Sequence, residues 1–444
     1  MISHSKFKAG MYLLETLTSG MYNEPLSIYR EYIQNAVDSI DLATPDAKKD
    51  FVIDIKLDPF NKTITIIDNG EGILASLARK TLSSIGSSEK IGTKQRGFRG
   101  IGRLGGVAFS EKAIFRTKAK GDTVESIQVW DCKSLRSLLA DPAQASLAID
   151  TVFDEVTSFQ QRISTAHRNE SFFEVTLGGV KSFRNHIFDI AKVKDYLGQV
   201  APLPFGPENF RFADKIKQFL SANLDDYGEY NIRLNGNQVF RPYTDKIKVT
   251  NKISDDVLES IELVKLEINS SPIAFGWYGK RKHLLGAITK GVGVAGIRVK
   301  SGNITIGDDH LLDKSFRENR FNSYIVGEIH VHNPNLIPNS RRDDFIDNDM
   351  KNLFYNLLER EIGLPLSKEI RHRSRIGQQN ANSNIEKVKK EGSQSLSNTE
   401  RKKIVTEKNR EDHREPESFI MQAILAECKQ CPRLDQILRN SQAG

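Results

Sequence analysis

Residues 26 to 42, LSIYREYIQNAVDSIDL, carry two demands at helical spacing, and any fold built on them must bury one side of a helix while keeping the other polar. Tyr29, Ile33, Ala36, Val37 and Ile40 recur at the helical period and make one apolar face. Glu31, Asn35 and Asp38 stand at i, i+4 and i+7, and at about 100° per residue they gather in a narrow stripe on the other side. Alone, such a stripe is more often the polar face of a surface helix than an active site. Two later stretches shift that weighting.

The chain of 444 residues has room for about three domains. Its 38% hydrophobic and 27% charged content is that of a globular protein, without an apolar run of about 18 residues to span a bilayer. The start, MISHSKFKAG, lacks the apolar core of a signal peptide, so a cytoplasmic location is expected. Cys132, Cys428 and Cys431 suggest no disulfide framework. Cys428 and Cys431 have zinc-ligand spacing, but no second pair of ligands lies nearby, so they read as plain thiols. The net charge of +7 favours weak attraction to nucleic acid or other polyanions without naming a partner.

Residues 52–58 alternate apolar and polar, 59–62 read as a turn, and 63–67 make a second strand that runs into Asp68-Asn-Gly70-Glu-Gly72-Ile73. Taken by itself, that last stretch is a good turn after a strand. A helical piece follows, then a long polar segment over 83–96, the kind of loop that is either a functional lid or disordered. It ends in Gly97-Phe-Arg-Gly100-Ile-Gly102-Arg-Leu-Gly105-Gly106. Gly100, Gly102 and Gly105 match GxGxxG, but no strand precedes them, so a dinucleotide site is excluded by context, and the absence of Gly-Lys-Ser/Thr excludes a P-loop. What remains is a glycine cluster at a helix start, suited either to holding phosphates on bare N–H groups or to close packing of a flexible loop.

Strands are expected within 109–130 and at 171–177, with mainly helical structure over 131–168 and a domain end near 205, where Pro202, Pro204 and Pro207 cluster. The pattern is α+β, helices on one face of a largely antiparallel sheet. A second α/β domain over 206–365 has strand signals at 230–234, 263–268, 273–278 and 324–332 and helices near 210–224 and 350–362. Its most pointed stretch, Ile337-Pro-Asn-Ser-Arg341-Arg342-Asp-Asp-Phe345, reads by itself as a polar surface turn in which the arginines pair with Asp343 and Asp344. Residues 366–416 read as a polar linker, disordered or a solvated helix, with too few apolar residues to join a core. A tail over 417–444 holds a short amphipathic helix from Phe419.

Three stretches in order, Glu31-x3-Asn35-x2-Asp38, Asp68-x-Gly70-x-Gly72 and Gly97-x2-Gly100-x-Gly102, resemble the N, G1 and G2 boxes of the ATPase superfamily of gyrase, Hsp90, histidine kinases and MutL. Residues 171–177 are similar to the strand that closes the Hsp90 nucleotide site, and 337–345 to the proline, basic residue, Asp-Phe stretch of MORC and Hsp90-like proteins. The resemblance covers roughly residues 10–365 and implies a Bergerat-type ATP-binding α/β sandwich, followed by a transducer-like domain. It implies ATP and Mg2+ as cofactors, with Glu31 as general base and Asn35 as the metal ligand. Asp38 would brace the site and Asp68 would read adenine, with Gly70, Gly72 and Ile73 letting the backbone pass close to the base. Gly97, Gly100, Ile101 and Gly102 would cradle phosphates beneath a lid over 83–96. Lys90, Lys94 and Arg99 are near enough in sequence to touch phosphate, and which of them does stays open. Ser171, preceded by Glu170, stands where the family has a Thr preceded by Gly.

Arg342, with Arg341 as runner-up, resembles the basic residue that reaches the γ-phosphate from the second domain. The resemblance further implies a nucleotide-dependent homodimer, a clamp acting on DNA or on protein clients. The alternatives are a molecular chaperone and a non-hydrolysing nucleotide sensor that recruits an effector. A histidine kinase would need a phospho-accepting helix ahead of the ATPase domain, for which the chain before residue 31 is too short.

Overall fold

The computed structural model describes residues 12–16, 18, 24–42, 51–86, 101–181, 186–207, 210–250, 255–284, 286–289, 294–376 and 379. Met1–Ser374 form one compact unit and Arg375–Gly444 another, and all the numbered elements below lie in the first. Among the described residues no helix is long and apolar enough to cross a membrane.

After a short α1 (Tyr12–Glu15), the helix expected around residue 26 is α2 (Ser27–Asp41). It begins at the turn Glu24–Leu26, where the Ser27 hydroxyl donates to Glu24 O at 2.6 Å. Its apolar face is buried as the period requires: Tyr29, Ile33, Ala36, Val37 and Ile40, with Ile28 and Tyr32 added. Each such side chain contributes roughly 1.5–3 kcal/mol when fully buried. The hairpin follows as β1 (Val52–Asp58) and β2 (Thr63–Asp68), with Ile55 opposite Ile66. Then come α3 (Ala75–Ser83), α4 (Gly105–Phe109), β3 (Lys112–Lys118), β4 (Val124–Asp131), α5 (Cys132–Ala140), α6 (Ile149–Val156), β5 (Thr157–Ile163), β6 (Phe172–Gly178), α7 (Ile190–Val200), α8 (Ala213–Asn223), β7 (Asn231–Leu234) and β8 (Asn237–Gln238).

The first sheet has the order β5-β4-β3-β6-β2-β1-β7-β8 and is antiparallel except for the β1–β7 pair. Helix α2 packs on it through a core that includes Ile33, Val37, Ile55, Ile66, Phe115 and Leu177. Two expectations are corrected here. Strand β5 lies inside the stretch read as helical. Strand β7, read as the first strand of the second domain, pairs in parallel with β1 and puts Ile232 and Leu234 into the first core. Alternation marks a strand, but nothing local says which sheet offers it an edge.

The second sheet is built from β9 (Lys246–Ile247), β10 (Asp256–Ile268), β11 (Ser271–Arg281), β12 (Gly296–Ser301), β13 (Ile304–Ile306) and β14 (Val326–Val331), in the order β13-β12-β14-β11-β10-β9. Against it lies α9 (Asp349–Leu358), capped by the Asn348 side chain accepting from Lys351 N at 2.8 Å. A π-helical turn, Glu359–Gly363, continues it, and helix then runs to residue 376. Gly363 is required there, since a Cβ would strike the Ser315 carbonyl. Over residues 366–376 this helix overturns the reading as a disordered or solvated linker; the remainder of 366–416, residue 379 apart, lies outside the described residues. Leu366 and Ile370 are 3% and 0% exposed within the second core. Three apolar positions per two turns are enough to bury a helix that is otherwise Lys- and Arg-rich. The amphipathic helix expected from Phe419, with Cys428 and Cys431, lies outside the described residues.

Candidate active site

Strand β2 ends in Asp68, 3% exposed, whose Oδ1 accepts the Gly70 N–H at 3.0 Å. The turn beyond it is walled by backbone. Gly72 has φ +67°, and a Cβ there would lie 2.1 Å from Lys118 O and 3.1 Å from Phe172 O, so no other residue fits. The Ser171 hydroxyl donates to Gly70 O at 2.6 Å. Ile73 N donates to Thr117 Oγ1 at 2.9 Å, and that hydroxyl donates to Phe172 O at 3.0 Å. Burial pushes the Asp68 carboxyl up to about 7, against the Gly70 N–H, which pulls it down. The site therefore keeps a desolvated acceptor, with the Gly70 N–H and the Ser39 hydroxyl favouring its charged form.

On the polar side of α2, Glu31 and Asn35 are half-buried one turn apart, and Asp38 is 1% exposed. A Cβ on Gly102 would lie 2.7 Å from Glu31 Oε2, so the glycine leaves the space that the carboxylate occupies. The next residue of the helix fixes the same segment: Tyr32 OH donates to Arg103 O at 3.0 Å and accepts from Gly106 N at 3.1 Å. Arg103 ties it to the end of α3 through Thr81 O at 2.8 Å and through Ser84 O. Burial lowers the Arg103 guanidinium to about 10.

The stretch 337–345 folds back on itself, with Asn339 N donating to Asp344 O and Ile346 N to Ile337 O, each at 2.8 Å. At its tip Arg342 adopts φ 57°, a left-handed conformation that costs roughly 1–2 kcal/mol for a residue with a side chain. Gly307 N holds it by donating to Arg342 O at 2.7 Å. The result aims Arg342 at α2, with its Nε 3.9 Å from Glu31 Oε1. Arg30 joins them, its Nε 3.4 Å from the same Glu31 oxygen and its Nη2 donating to Arg341 O at 3.0 Å.

The surface pairing with Asp343 and Asp344 is thus corrected. Asp343 bonds Asn339, while Asp344 bonds Tyr355 OH at 2.6 Å and Lys351 Nζ at 2.8 Å. Burial would raise the Asp344 carboxyl, but Lys351 and Tyr355 outweigh it and hold it low. That leaves the Arg342 side chain directed elsewhere, by a turn whose shape depends on contacts with residue 307 and α9.

The structure brings together Glu31, Gly102 and Arg342 at one place and Asp68, Gly70, Gly72, Ile73 and Ser171 at another, joined by α2 and its neighbour β2. Arg341 contributes its carbonyl and leaves its side chain exposed. Ser171 holds Gly70 rather than Asp68. Lys90, Lys94, Gly97, Arg99 and Gly100 lie outside the described residues, as does most of the expected lid. Among the described residues no cluster of three or more His, Cys, Asp or Glu could hold a metal by itself. Sequence reading missed Arg30, Tyr32, Arg103 and Thr117. Tyr32 reads as one more apolar-face residue, and Thr117 as an ordinary strand residue, because only the tertiary partner reveals the use of the hydroxyl.

Residues 26–162 match the family described as histidine kinase-, DNA gyrase B-, and HSP90-like ATPase. The chaperone protein HtpG of Enterobacter sp. (strain 638) is 28% identical over 140 residues, covering 27% of this chain and 22% of that protein. HtpG of Klebsiella pneumoniae subsp. pneumoniae shows the same identity and coverage, and HtpG of Salmonella paratyphi A is 27% identical over 140 residues. The similarity spans only 22% of the length of these relatives. The residues matched by the family model include α2, the Asp68 turn and the Gly102 segment, so the part of the chain that carries the site is similar to the histidine kinase-, DNA gyrase B- and HSP90-like ATPases.

Proposed function

We propose that this protein binds ATP with a magnesium ion and hydrolyses it, using the hydrolysis to change how its second domain engages the first. The observation that carries the reading is the meeting of Glu31 with Arg342, a residue 311 positions away on the second domain, at 3.9 Å beside the glycine segment. The residues present fit the nucleotide. Asp68 is a buried acceptor for an exocyclic amine, Gly72 gives a bare backbone wall, and Asn35 offers a side-chain oxygen to a hard cation. The magnesium ion supplies charge neutralisation at the phosphates when bound. Glu31 orients the attacking water and takes its proton, and Arg342 stabilises charge at the terminal phosphate.

Because Arg342 comes from another domain, its engagement links nucleotide state to domain arrangement. Several partners and assemblies are compatible with such coupling, including a nucleotide-dependent homodimer. The chaperone name carried by the relatives favours a protein client over DNA, and salt-sensitive stimulation of turnover by DNA would reverse that preference.

The test is ATP titration and turnover on the full chain. Glu31→Ala should keep ATP binding and lose about 10²–10⁴ in rate. Arg342→Ala should lower turnover and leave ADP affinity nearly unchanged, since ADP lacks the terminal phosphate. Wild-type protein that binds ATP without turnover would establish a nucleotide sensor in place of the enzyme, and a wild type that binds no ATP would end both.

A further inference from the structure

Lys118, the last residue of β3, is 1% exposed, yet its Nζ meets only backbone oxygens among the described residues: His167 O at 3.0 Å, Arg168 O at 3.3 Å, Ala119 O at 3.4 Å and Glu170 O at 2.5 Å. Burying a lysine without a carboxylate is tolerable only if acceptors surround its N–H groups. Here three of the four, the carbonyls of His167, Arg168 and Glu170, come from one segment, residues 164–171, which joins β5 to β6. The same segment is stitched to the turn after β3 by Ser164 N to Thr123 O at 3.0 Å and Gly121 N to Arg168 O at 2.9 Å.

That segment leads directly into Ser171, whose hydroxyl holds Gly70 O. On its main-chain side Lys118 is the wall of the same turn, since its carbonyl is the atom that a Cβ on Gly72 would strike. One residue therefore grips the Asp68–Gly72 turn twice, directly through its backbone and indirectly through its side chain.

We propose that Lys118 is a positioning residue for the base of the nucleotide, holding the 164–171 segment so that Ser171 and the Gly72 wall keep Asp68 in its binding geometry. The proposal rests on the ATP-binding reading above. Without the Nζ, four carbonyls lose a donor, the segment withdraws from β3, and Ser171 no longer fixes Gly70. Glu31 and Arg342 are reached by other contacts, through Tyr32, Gly102 and Gly307, so the loss falls on affinity and spares the rate at saturation.

The test compares wild type, Lys118→Met, Ser171→Ala and the double variant, by ATP titration, by turnover and by thermal unfolding. Each single variant should weaken ATP binding about tenfold, the loss of roughly one hydrogen bond's worth of positioning, with kcat changed by less than about twofold. The double variant should bind no more weakly than Lys118→Met, because both act through one chain of contacts. A folded Lys118→Met with wild-type affinity, or a double variant whose losses add, overturns the proposal and leaves Lys118 a structural residue only. If Lys118→Met fails to fold, Ser171→Ala, which removes a single hydroxyl, decides: unchanged affinity overturns the proposal. Wild-type protein that binds no ATP defeats the underlying reading as well, an outcome distinct from a wild type that binds while Lys118→Met binds equally.

Discussion

Two of the buried carboxylates, Asp68 and Glu328, are treated in opposite ways. Asp68 closes the first sheet at 3% exposure with no ion-pair partner among the described residues, and burial lifts its carboxyl to about 7. Glu328, on β14 of the second sheet, is 1% exposed and surrounded: Arg241 Nη1 at 2.7 Å, His330 Nε2 and Tyr243 OH at 3.1 Å each, and Lys300 Nζ at 3.3 Å. Burial pushes Glu328 upward too, but Arg241, then Lys300 and His330, overrule it and hold it well below the ordinary carboxylate range. The surrounding groups join the halves of the molecule. Arg241 Nε donates to Leu203 O at 2.6 Å, Arg298 Nη2 to Gln199 Oε1 at 3.0 Å and Thr305 Oγ1 to Gln199 O at 2.6 Å. A carboxylate whose oxygens are all engaged by protein is a joint. One that burial raises, without an ion-pair partner among the described residues, is suited to a ligand's donor, at a cost in stability.

The largest effect expected from breaking this contrast is at the joint. Glu328→Gln leaves Arg241 and Lys300 buried without their counter-charge and should cost roughly 3–5 kcal/mol in chemical denaturation. A loss under about 1 kcal/mol would mean that water reaches the cluster, and the contrast would collapse.

Asp68→Asn should do the reverse in the nucleotide-free protein. An acid whose folded pKa is raised keeps its proton after the unfolded chain has lost it, so wild-type stability falls as pH rises from about 4 to about 7 and is level above that. The variant escapes that fall and should be more stable at pH 8 by ~1–4 kcal/mol, with the gap opening between pH 4 and 7 in thermal or denaturant unfolding. Its ATP affinity should drop by on the order of tenfold, because a charged acceptor is lost. In wild type the same loss should set in as pH is lowered through about 7, where Asp68 takes up its proton. A variant that gains stability and keeps full affinity would separate Asp68 from the nucleotide.

The smallest effect sharpens the comparison at Lys300. Burial lowers its amino group from 10.5 to about 8, even with Glu328 raising it. The folded protein therefore sheds this proton before the unfolded chain does, and stability should rise between pH 8 and 10.5. Lys300→Met should lack that rise, by on the order of 1 kcal/mol in paired unfolding curves. Identical slopes would remove Lys300 from the charge cluster.

What the amino-acid order determined by itself is local: the two faces of α2, the β1–β2 hairpin and the turn after Asp68. Each follows from a period or a turn chemistry that acts within a few residues. Tertiary structure decided what depends on distant partners. It gave β7 to the first sheet, because β1 had an open edge. It drew Leu366 and Ile370 into the second core and turned Arg342 toward Glu31 rather than toward Asp343 and Asp344. It also separated Asp68 from Glu328, since a carboxylate's pKa is set by the charges and the water that the whole fold leaves around it, and no neighbour in sequence carries that information.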